Sequence, residues 1–452
     1  MYSLIGCFMK STDDLFCSYS LIPRLVPCEN GSSLNRKKRE ETKRSGKQRE
    51  SAMRARGERK IIKNRRTTSH HDSRASTSRN LDEEEDGKTP DSDPIPLDLT
   101  VDILTRLPVK SLVRFLCVSK GWSSTISGRD FANSFMTRSL TRPRLLLTFI
   151  ANNKYVFFSL THPQNSDMES SSVATYVYDM NWSVDWAHPV RGLVCVGSPP
   201  NLAICNPSTN QFITLPKVKT RRKDIHSFFG YDPIDDQYKV LSMTVAKRRE
   251  VAEEHQVLTL GTRKTWRMIE STFPHWPRIE GLCLNGVLYY GAWCFLETIK
   301  EDVIMRFDVR SERFDVMKVP QGSKWSWSDH PTLISYKGKL ACLNYGGSSI
   351  HLWVLEDAEK QEWSEISSVF PPIWNDSIWD NELSFSGTIR TGELVMTSGR
   401  FSLPLYVFYC HMERNVIKRV EIWGISEHRV IRQYSRWRLK TSADYVESIE
   451  FL

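Results

Sequence analysis

The sequence predicts a small all-α domain followed by a larger all-β, propeller-like domain of four-stranded blades, about six in number. Three observations predict this fold: a short segment with helical spacing of apolar residues, a change to alternating apolar residues after about Arg144, and an internal repeat of paired hairpins. We expect a disordered basic tail over residues 1–92, the helical domain over 93–138 and the β domain over 144–452.

The tail carries the positive charge of the chain. The 452 residues have a formal net charge of +9, whereas residues 35–79 contain 17 Lys and Arg against 5 Asp and Glu, which leaves −3 for the rest. This polar composition, with almost no aromatic residues, cannot bury enough apolar area to offset the entropy of ordering. We interpret the segment as a solvated tail. Its functional alternatives are a nuclear localisation signal and a nonspecific nucleic-acid contact.

The segment from residue 95 to 138 has the apolar spacing of helices. The residues that recur three or four apart are Ile103, Leu104, Leu107, Leu112, Phe115, Leu116, Trp122 and Ile126. Pro108 should end the first helix, and Gly121 interrupts the pattern near the start of the third. We therefore predict three short helices, with Phe131 and Phe135 following on the same side.

The β domain repeats a unit of two hairpins. Four stretches share a turn residue, a glycine, one spacer and an apolar run, namely VRGLVCV (190–196), LNGVLYY (284–290), YKGKLAC (336–342) and RTGELVM (390–396). Four-stranded units are placed at about 182–216, 226–270, 279–320, 331–369 and 382–423, a period typical of propeller blades. A sixth unit is predicted from 144–180 together with the C-terminal strand YVESIEFL, because pairing the two ends leaves no bare sheet edge.

No catalytic motif is present in the sequence. There is no GxSxG, HExxH, Walker or GxGxxG pattern, and the ten cysteines include no CxxC and no Cys/His cluster with zinc spacing. No run approaches the roughly 20 apolar residues that cross a bilayer. We therefore expect a non-catalytic protein without metal or cofactor and with no membrane partner. Cysteines within apolar runs are typical of buried reduced thiols, which favours the nucleus and/or the cytoplasm.

The loops between the proposed blades are rich in Trp and Arg. Because these loops occupy the same phase of each repeat, we expect them on one face of the propeller, and Trp and Arg are enriched in protein-binding hot spots. The alternative is that each Trp folds back and fills a gap between blades. The candidate target-binding residues are Arg221, Arg222, Trp276, Trp325, Trp327, Trp374 and Trp379.

The segment IPLDLTVDILTRLPVKSLVRFLCVSKGWSSTIS resembles an F-box in its plant form. The residues that follow resemble the F-box-associated domain of the large plant group, in RGLVCV, LAICNPSTNQFITLP, FGYDPIDDQYKVL, WRMIE, NGVLYYGAW and IMRFDVRSERFDVMKVP. The resemblance covers roughly residues 93–430. It departs from the usual pattern at Cys205, where a Trp usually precedes Asn-Pro, and at Val190-Arg191, where Cys-Asp usually precedes Gly-Leu.

The resemblance implies the substrate-recognition subunit of a cullin-based (SCF) ubiquitin ligase. The F-box would bind a Skp-type adaptor and through it a cullin, and the β domain would hold an unidentified target protein for ubiquitination. The residues implied to contact the adaptor are Pro96, Leu99, Ile103, Leu107, Pro108, Val109 and Leu112. Phe115, Val118 and Trp122 are expected to form the small internal core.

The alternative function is a nucleic-acid-associated propeller scaffold that uses the basic tail together with Arg221 and Arg222. It predicts salt-sensitive binding of RNA or DNA that is lost when residues 35–79 are deleted. The ligase receptor is the function that we predict, and nucleic acid is not among its expected partners.

Overall fold

The computed structural model describes residues 95–151, 154–163, 169–181, 188–246, 251–261, 265–296, 299–320, 331–346, 349–369, 383–399, 401–432 and 437–450. The predicted disordered tail and the candidate residues Trp325, Trp327, Trp374 and Trp379 lie outside these ranges. Among the helices of the described ranges, none is both long and apolar enough to cross a membrane.

Four helices open the described chain. They are α1 (Leu97–Thr105), α2 (Val109–Phe115), α3 (Lys120–Ile126) and α4 (Arg129–Leu140). The predicted number of three is therefore too low. Phe131 and Phe135 belong to α4, where both are buried, because they lie four residues apart on one face of that helix.

The helix starts follow from local sequence. Pro96 and Pro108 directly precede α1 and α2 with φ of −50° and −61°, a range that suits a helix start. The side chain of Ser119 accepts a hydrogen bond of 3.1 Å from the backbone N–H of Trp122 and so caps α3. The two prolines act as helix punctuation, as predicted.

The rest of the described chain forms six sheets, which are the six blades of a propeller. Blade 1 contains β1 (Arg144–Ala151), β2 (Lys154–Thr161), β4 (Thr175–Asn181) and β25 (Arg438–Tyr445). Blade 2 contains β5 (Val194–Val196), β6 (Ala203–Asn206) and β7 (Gln211–Thr214). Blade 3 contains β8 (Asp224–Asp232), β9 (Gln237–Ala246), β10 (Val251–Thr259) and β11 (Arg267–Ile269).

The remaining three blades follow in chain order. Blade 4 contains β12 (His275–Pro277), β13 (Leu282–Leu284), β14 (Val287–Leu296), β15 (Ile299–Asp308) and β16 (Phe314–Lys318). Blade 5 contains β17 (Thr332–Tyr336), β18 (Lys339–Gly346), β19 (Ser349–Asp357) and β20 (Glu362–Val369). Blade 6 contains β21 (Leu383–Thr388), β22 (Leu394–Ser398), β23 (Leu405–His411) and β24 (Val416–Trp423), to which β3 (Glu169–Val173) adds in parallel. A short helix, α5 (Arg429–Arg432), leads from blade 6 to β25.

The four repeated sequence stretches form the tight turns of the blades. Their glycines, Gly192, Gly286, Gly338 and Gly392, all have φ between 80° and 86°. This left-handed region is open to glycine at little cost, which explains why each repeat needs a glycine at this position.

The propeller closes by pairing the two ends of the chain, but not through the strand that the sequence predicted. The strand beside β1 is β25, which ends at Tyr445, so among the described residues of YVESIEFL only the first lies in the sheet. The sequence RLKTSADY is mostly polar and has no clear strand pattern, yet its alternate residues Leu439, Thr441 and Ala443 are all buried.

The C-terminal segment after β25 joins the helical domain to the propeller; we call residues 446–450 the C-terminal clasp. Ile449 is 3% exposed and belongs to the core of the helical domain. The side-chain amide of Asn206, in β6, donates hydrogen bonds of 3.1 and 3.0 Å to the carbonyls of Ser448 and Glu450. A Cβ placed on Gly192 would lie 2.7 Å from the Ser448 side chain, so the clasp also packs closely on blade 2.

The helices meet one face of the propeller. In each blade the strands alternate in direction, so the turns between the first and second strands leave on one face and the loops between blades leave on the other. Arg129 of α4 pairs with Asp236 at 3.2 Å in the turn between β8 and β9, and Arg390, in the turn between β21 and β22, donates to the carbonyl of Thr141 at 3.2 Å. The loops between blades therefore leave on the face opposite the helices.

A buried ion pair links blades 3 and 4. Lys239 is 7% exposed, and its ammonium lies 2.9 Å from Glu312 and 2.7 Å from the carbonyl of Val309. Arg267 also contacts Glu312, at 2.6 Å. Lys239 and Glu312 thus satisfy each other where water has little access, whereas Arg267 approaches Glu312 from the exposed side.

Two buried histidines lie beside this boundary. Their rings are 5.4 Å apart. The Nδ1–H of His275 donates to the carbonyl of Phe273 at 2.8 Å, so its Nε2 accepts a hydrogen bond of 2.8 Å from the hydroxyl of Tyr290. Burial lowers the pKa of His255 to about 3 and that of His275 to about 4. Both rings are therefore neutral near neutral pH.

Candidate adaptor-binding and target-binding surfaces

One face of α1 carries apolar side chains that the helical domain does not cover; we call Pro96, Leu99 and Ile103 the α1 face. Leu99 is 55% exposed, Pro96 is exposed and Ile103 is half-buried. The three residues are three or four positions apart, so they lie on one side of the helix. Leu104 points to the other side and is 1% exposed. An uncovered apolar face beside a complete core is typical of an interaction surface.

Other apolar residues extend this exposed surface. Leu97 is 65% exposed, Pro108 is exposed and Leu107 is half-buried. Leu107 and Pro108 were both implied as adaptor contacts by the resemblance, and their exposure makes them accessible to a partner.

Val109 and Leu112 are placed differently from the other implied contacts. Each is 1% exposed and packs in the core of the helical domain. They lie three residues apart on the side of α2 that faces inward. Their side chains are therefore inaccessible in this structure, and an adaptor contact by either one stays a prediction that would require local opening.

The expected internal core is correct for two of its three residues. Phe115 and Trp122 pack edge to face with ring centroids 4.8 Å apart, against the buried core. The assignment of Val118 to this core is wrong, because it lies in the turn after α2 and is 56% exposed.

Ion pairs tie α1 to α4. The carboxylate of Asp102 lies 2.6 Å from Arg106 on α1 and 3.0 Å from Arg138 on α4. The hydrogen bond from Arg106 is the main reason why the pKa of Asp102 is below its usual value. The contacts orient α1 so that the α1 face points away from the core.

The two candidate arginines between β7 and β8 have different surroundings. Arg221 is exposed, whereas Arg222 is half-buried and its Nε lies 3.8 Å from the Glu254 carboxylate. The carbonyl of Lys219 accepts a hydrogen bond of 3.0 Å from the side chain of Gln256, which holds the loop on blade 3. Arg221 is thus the arginine of this pair that is available to a ligand.

Trp276 is half-buried at the start of blade 4 and packs against Trp293 of β14. Their rings meet edge to face with centroids 5.5 Å apart. The guanidinium of Arg278 lies 4.0 Å from the centre of the Trp293 ring, and the ammonium of Lys300 lies 3.3 Å from it. The alternative reading, in which a loop tryptophan folds back onto a blade, therefore describes Trp276 in part.

Sequence reasoning missed the other three members of this cluster. Trp293 closes the motif NGVLYYGAW and stands opposite Trp276 in the β12–β14 register. The sequence repeat does not predict the pairing of β12 with β14, because β12 has only three residues. Trp276, Arg278, Trp293 and Lys300 form an aromatic and cationic patch on the face opposite the helices.

Charged residues also span the centre of the propeller. Lys440 of β25 lies 2.5 Å from Glu280, which precedes β13, and His188 lies 3.9 Å from the same carboxylate. Blades 1 and 4 are opposite in a ring of six, so this contact crosses the central channel. Within the part of the chain that the structure describes, no cluster of three or more His, Cys, Asp or Glu side chains could hold a metal ion.

The described chain combines a helical domain that carries an exposed apolar face with a six-bladed propeller. Residues 94–133 match the family model of the F-box domain, and residues 144–446 match that of the F-box associated beta propeller domain. The chain belongs to the plant F-box proteins that carry an F-box-associated domain. We refer to α1–α4 as the F-box from here on.

Named relatives span most of the chain. The F-box protein DOR of Arabidopsis thaliana is 40% identical over 390 residues, covering 81% of this chain and 96% of its own length. The putative F-box protein At3g23960 of the same plant is 38% identical over 408 residues, covering 84% of this chain and 97% of its own. Among solved structures, apo AztD from Citrobacter koseri has a TM-score of 0.35 and 8% identity, over 66% of this chain and 97% of that one, a likeness too low to support any argument.

Proposed function

We propose that this protein is the substrate-recognition subunit of an SCF ubiquitin ligase, in which the F-box binds a Skp-type adaptor and the propeller binds a protein to be ubiquitinated. The observation that carries the proposal is the α1 face, an apolar surface that the described residues leave uncovered in a domain of the F-box family. The protein would perform no bond chemistry of its own. It would raise the local concentration of a target near the ubiquitin-loaded enzyme.

The arrangement of the two domains supports this division of work. The F-box contacts the face with the first-to-second strand turns, while Arg221 and the patch around Trp276 lie on the opposite face. A target held there would be displaced from the adaptor by the depth of the propeller. The clasp and the contacts of Arg129 and Arg390 would keep that displacement constant.

The adaptor contact is tested with the full-length chain, because an F-box fragment would lack Ile449 of its own core. In Leu99→Asp combined with Ile103→Asp, two apolar contacts are replaced by charges. Each buried apolar side chain contributes about 1.5–3 kcal/mol, so the affinity for a purified Skp-type adaptor should fall by about 100-fold or more. Binding is measured by calorimetry or by interferometry.

The matched control is Leu140→Asp. Leu140 is 48% exposed at the end of α4, so the substitution places the same charge on an exposed F-box leucine outside the α1 face. Adaptor affinity within threefold of wild type is expected for this variant. Equal affinities of the double variant and the control for the adaptor would remove the basis of the proposal.

We also propose that the protein resides in the nucleus and/or the cytoplasm, supported by the net charge of +12 over residues 35–79. A fluorescent fusion of the full chain is compared with one in which the basic residues of this range are replaced by Gln. A fusion found in a secretory compartment would contradict the proposal.

A further inference from the structure

A cavity of about 730 Å³ lies where the F-box meets blades 1 and 6. Its walls come from five parts of the chain: the residues that follow α1, the link between α4 and β1, blade 1, blade 6 and the C-terminal clasp. The volume is in the range of pockets that hold small organic ligands, roughly 300–1,000 Å³. Leu107 and Pro108, two of the implied adaptor contacts, also line it, whereas the three residues of the α1 face and the patch around Trp276 do not.

The cavity has an excess of positive charge. Five basic side chains line it, namely Arg106, Arg142, Arg144, Arg390 and Lys418, against the two acidic side chains Glu393 and Glu447. Burial raises the pKa of Glu447, which disfavours the negative charge on one of those two groups. The basic groups approach from several walls, so their field is concentrated in the space between them.

Two of the basic groups are held at sites with little access to water. Lys418 is 7% exposed, in β24. The Nε of Arg144 is buried and has no hydrogen-bond partner among the residues that the structure describes. A buried donor without a partner is costly and is uncommon unless something else completes its contacts.

We propose that this cavity binds a small molecule that carries several phosphate groups. Guanidinium groups bind phosphate oxygens through paired hydrogen bonds, and the separation of the basic residues over several walls favours a ligand with more than one anionic group. An apolar ligand would leave the buried Nε of Arg144 without a partner and would not match the basic lining of the cavity. The inference does not depend on adaptor binding and goes beyond the proposed function.

Such a ligand would contact the F-box and the propeller at once. The ligand would bind only when the F-box and the propeller are both folded. The free energy of unfolding should therefore rise with the logarithm of the ligand concentration once that concentration exceeds the dissociation constant. It would thereby stiffen the junction that sets the distance between adaptor and target.

The experiment measures thermal unfolding of the full-length chain with increasing inorganic tripolyphosphate, and with ATP in a second series. The cavity variant is Thr161→Glu, which adds a carboxylate at an exposed residue of the cavity wall, at the end of β2. The control is Thr214→Glu, an exposed threonine at the end of β7 that does not line the cavity. Both substitutions add one negative charge at the end of a strand, and the basic tail is the same in all three proteins.

We expect a saturable rise of the unfolding temperature in the wild type and the control, and an apparent dissociation constant at least tenfold higher in Thr161→Glu. Arg390→Gln should weaken binding in the same way, which covers the case that Thr161→Glu alters folding. A larger effect of ATP than of tripolyphosphate identifies a nucleotide, and equal effects identify the phosphates as the recognised part. Equal stabilisation of all variants, or none up to millimolar ligand, would overturn the proposal.

Discussion

The C-terminal clasp should determine the stability of the F-box, although it lies more than 300 residues away in the sequence. Ile449 is 3% exposed among residues of the F-box core such as Leu104, Val109 and Leu112. Truncating a buried isoleucine to alanine costs about 2–5 kcal/mol, because apolar contacts are lost and a cavity remains. Ile449→Ala should therefore lower the local free energy of unfolding of the F-box by that amount.

Amide hydrogen exchange over α2–α4 measures this loss, because it reports local opening separately from global unfolding. A loss of 2 kcal/mol corresponds to about a 30-fold faster exchange, at 1.4 kcal/mol per factor of ten. Ile234→Ala is the control, since Ile234 is 68% exposed and its truncation should cost no more than about 0.5 kcal/mol. Exchange in α2–α4 that changes less than threefold in Ile449→Ala would refute the role of the clasp.

Three further predictions concern the propeller. In urea denaturation, Gly192→Ala should destabilise the protein by at least about 1 kcal/mol more than Gly338→Ala. Both glycines have a left-handed φ, but of the two only Gly192 has a close neighbour, which is the clasp. Equal losses of stability would contradict this contact. Lys239→Met should lower the free energy of unfolding by about 3–5 kcal/mol, because it leaves the Glu312 carboxylate with one partner fewer. Lys339→Met removes one side of an exposed ion pair and should cost under about 1 kcal/mol. Similar losses for the two variants would argue against burial of the Lys239 pair. The pKa of His255 is lower in the folded chain than in the unfolded one, so the free energy of unfolding should fall as the pH drops from 6.5 toward 3. In denaturation series at pH 6 and pH 5, His255→Phe should reduce this dependence by up to about 1.4 kcal/mol per pH unit. An unchanged pH dependence would exclude a buried neutral ring.

The repeat and the helical segment could be predicted because their signals are local. A glycine in a left-handed turn leaves a mark at every occurrence, and Gly192, Gly286, Gly338 and Gly392 appear in the structure in the role that the repeat assigned to them. The change from helical to alternating spacing likewise depends only on neighbouring residues. The family resemblance agrees with both, and the six blades are confirmed.

The candidate sites could be predicted only in part. The helical spacing of apolar residues includes Leu99, Ile103, Val109 and Leu112 alike. In the structure Leu99 is exposed, Ile103 is half-buried, and Val109 and Leu112 are buried. An apolar residue satisfies the same pattern whether its own chain or a partner covers it. The four loop tryptophans outside the described residues remain predictions for the same face as Trp276.

The sequence by itself determined the order of the domains, the two-hairpin repeat, the turn glycines and the pairing of the two ends of the chain. All of these depend on residues that are close in sequence or on the rule that a propeller leaves no open edge. Tertiary structure alone decided which strand closes blade 1, that Ile449 completes the F-box, that Trp293 packs on Trp276, and that basic side chains from distant parts of the chain enclose one cavity. Those contacts join residues from 17 to more than 300 positions apart, and no periodicity records which distant surface will cover an apolar face or surround a charge.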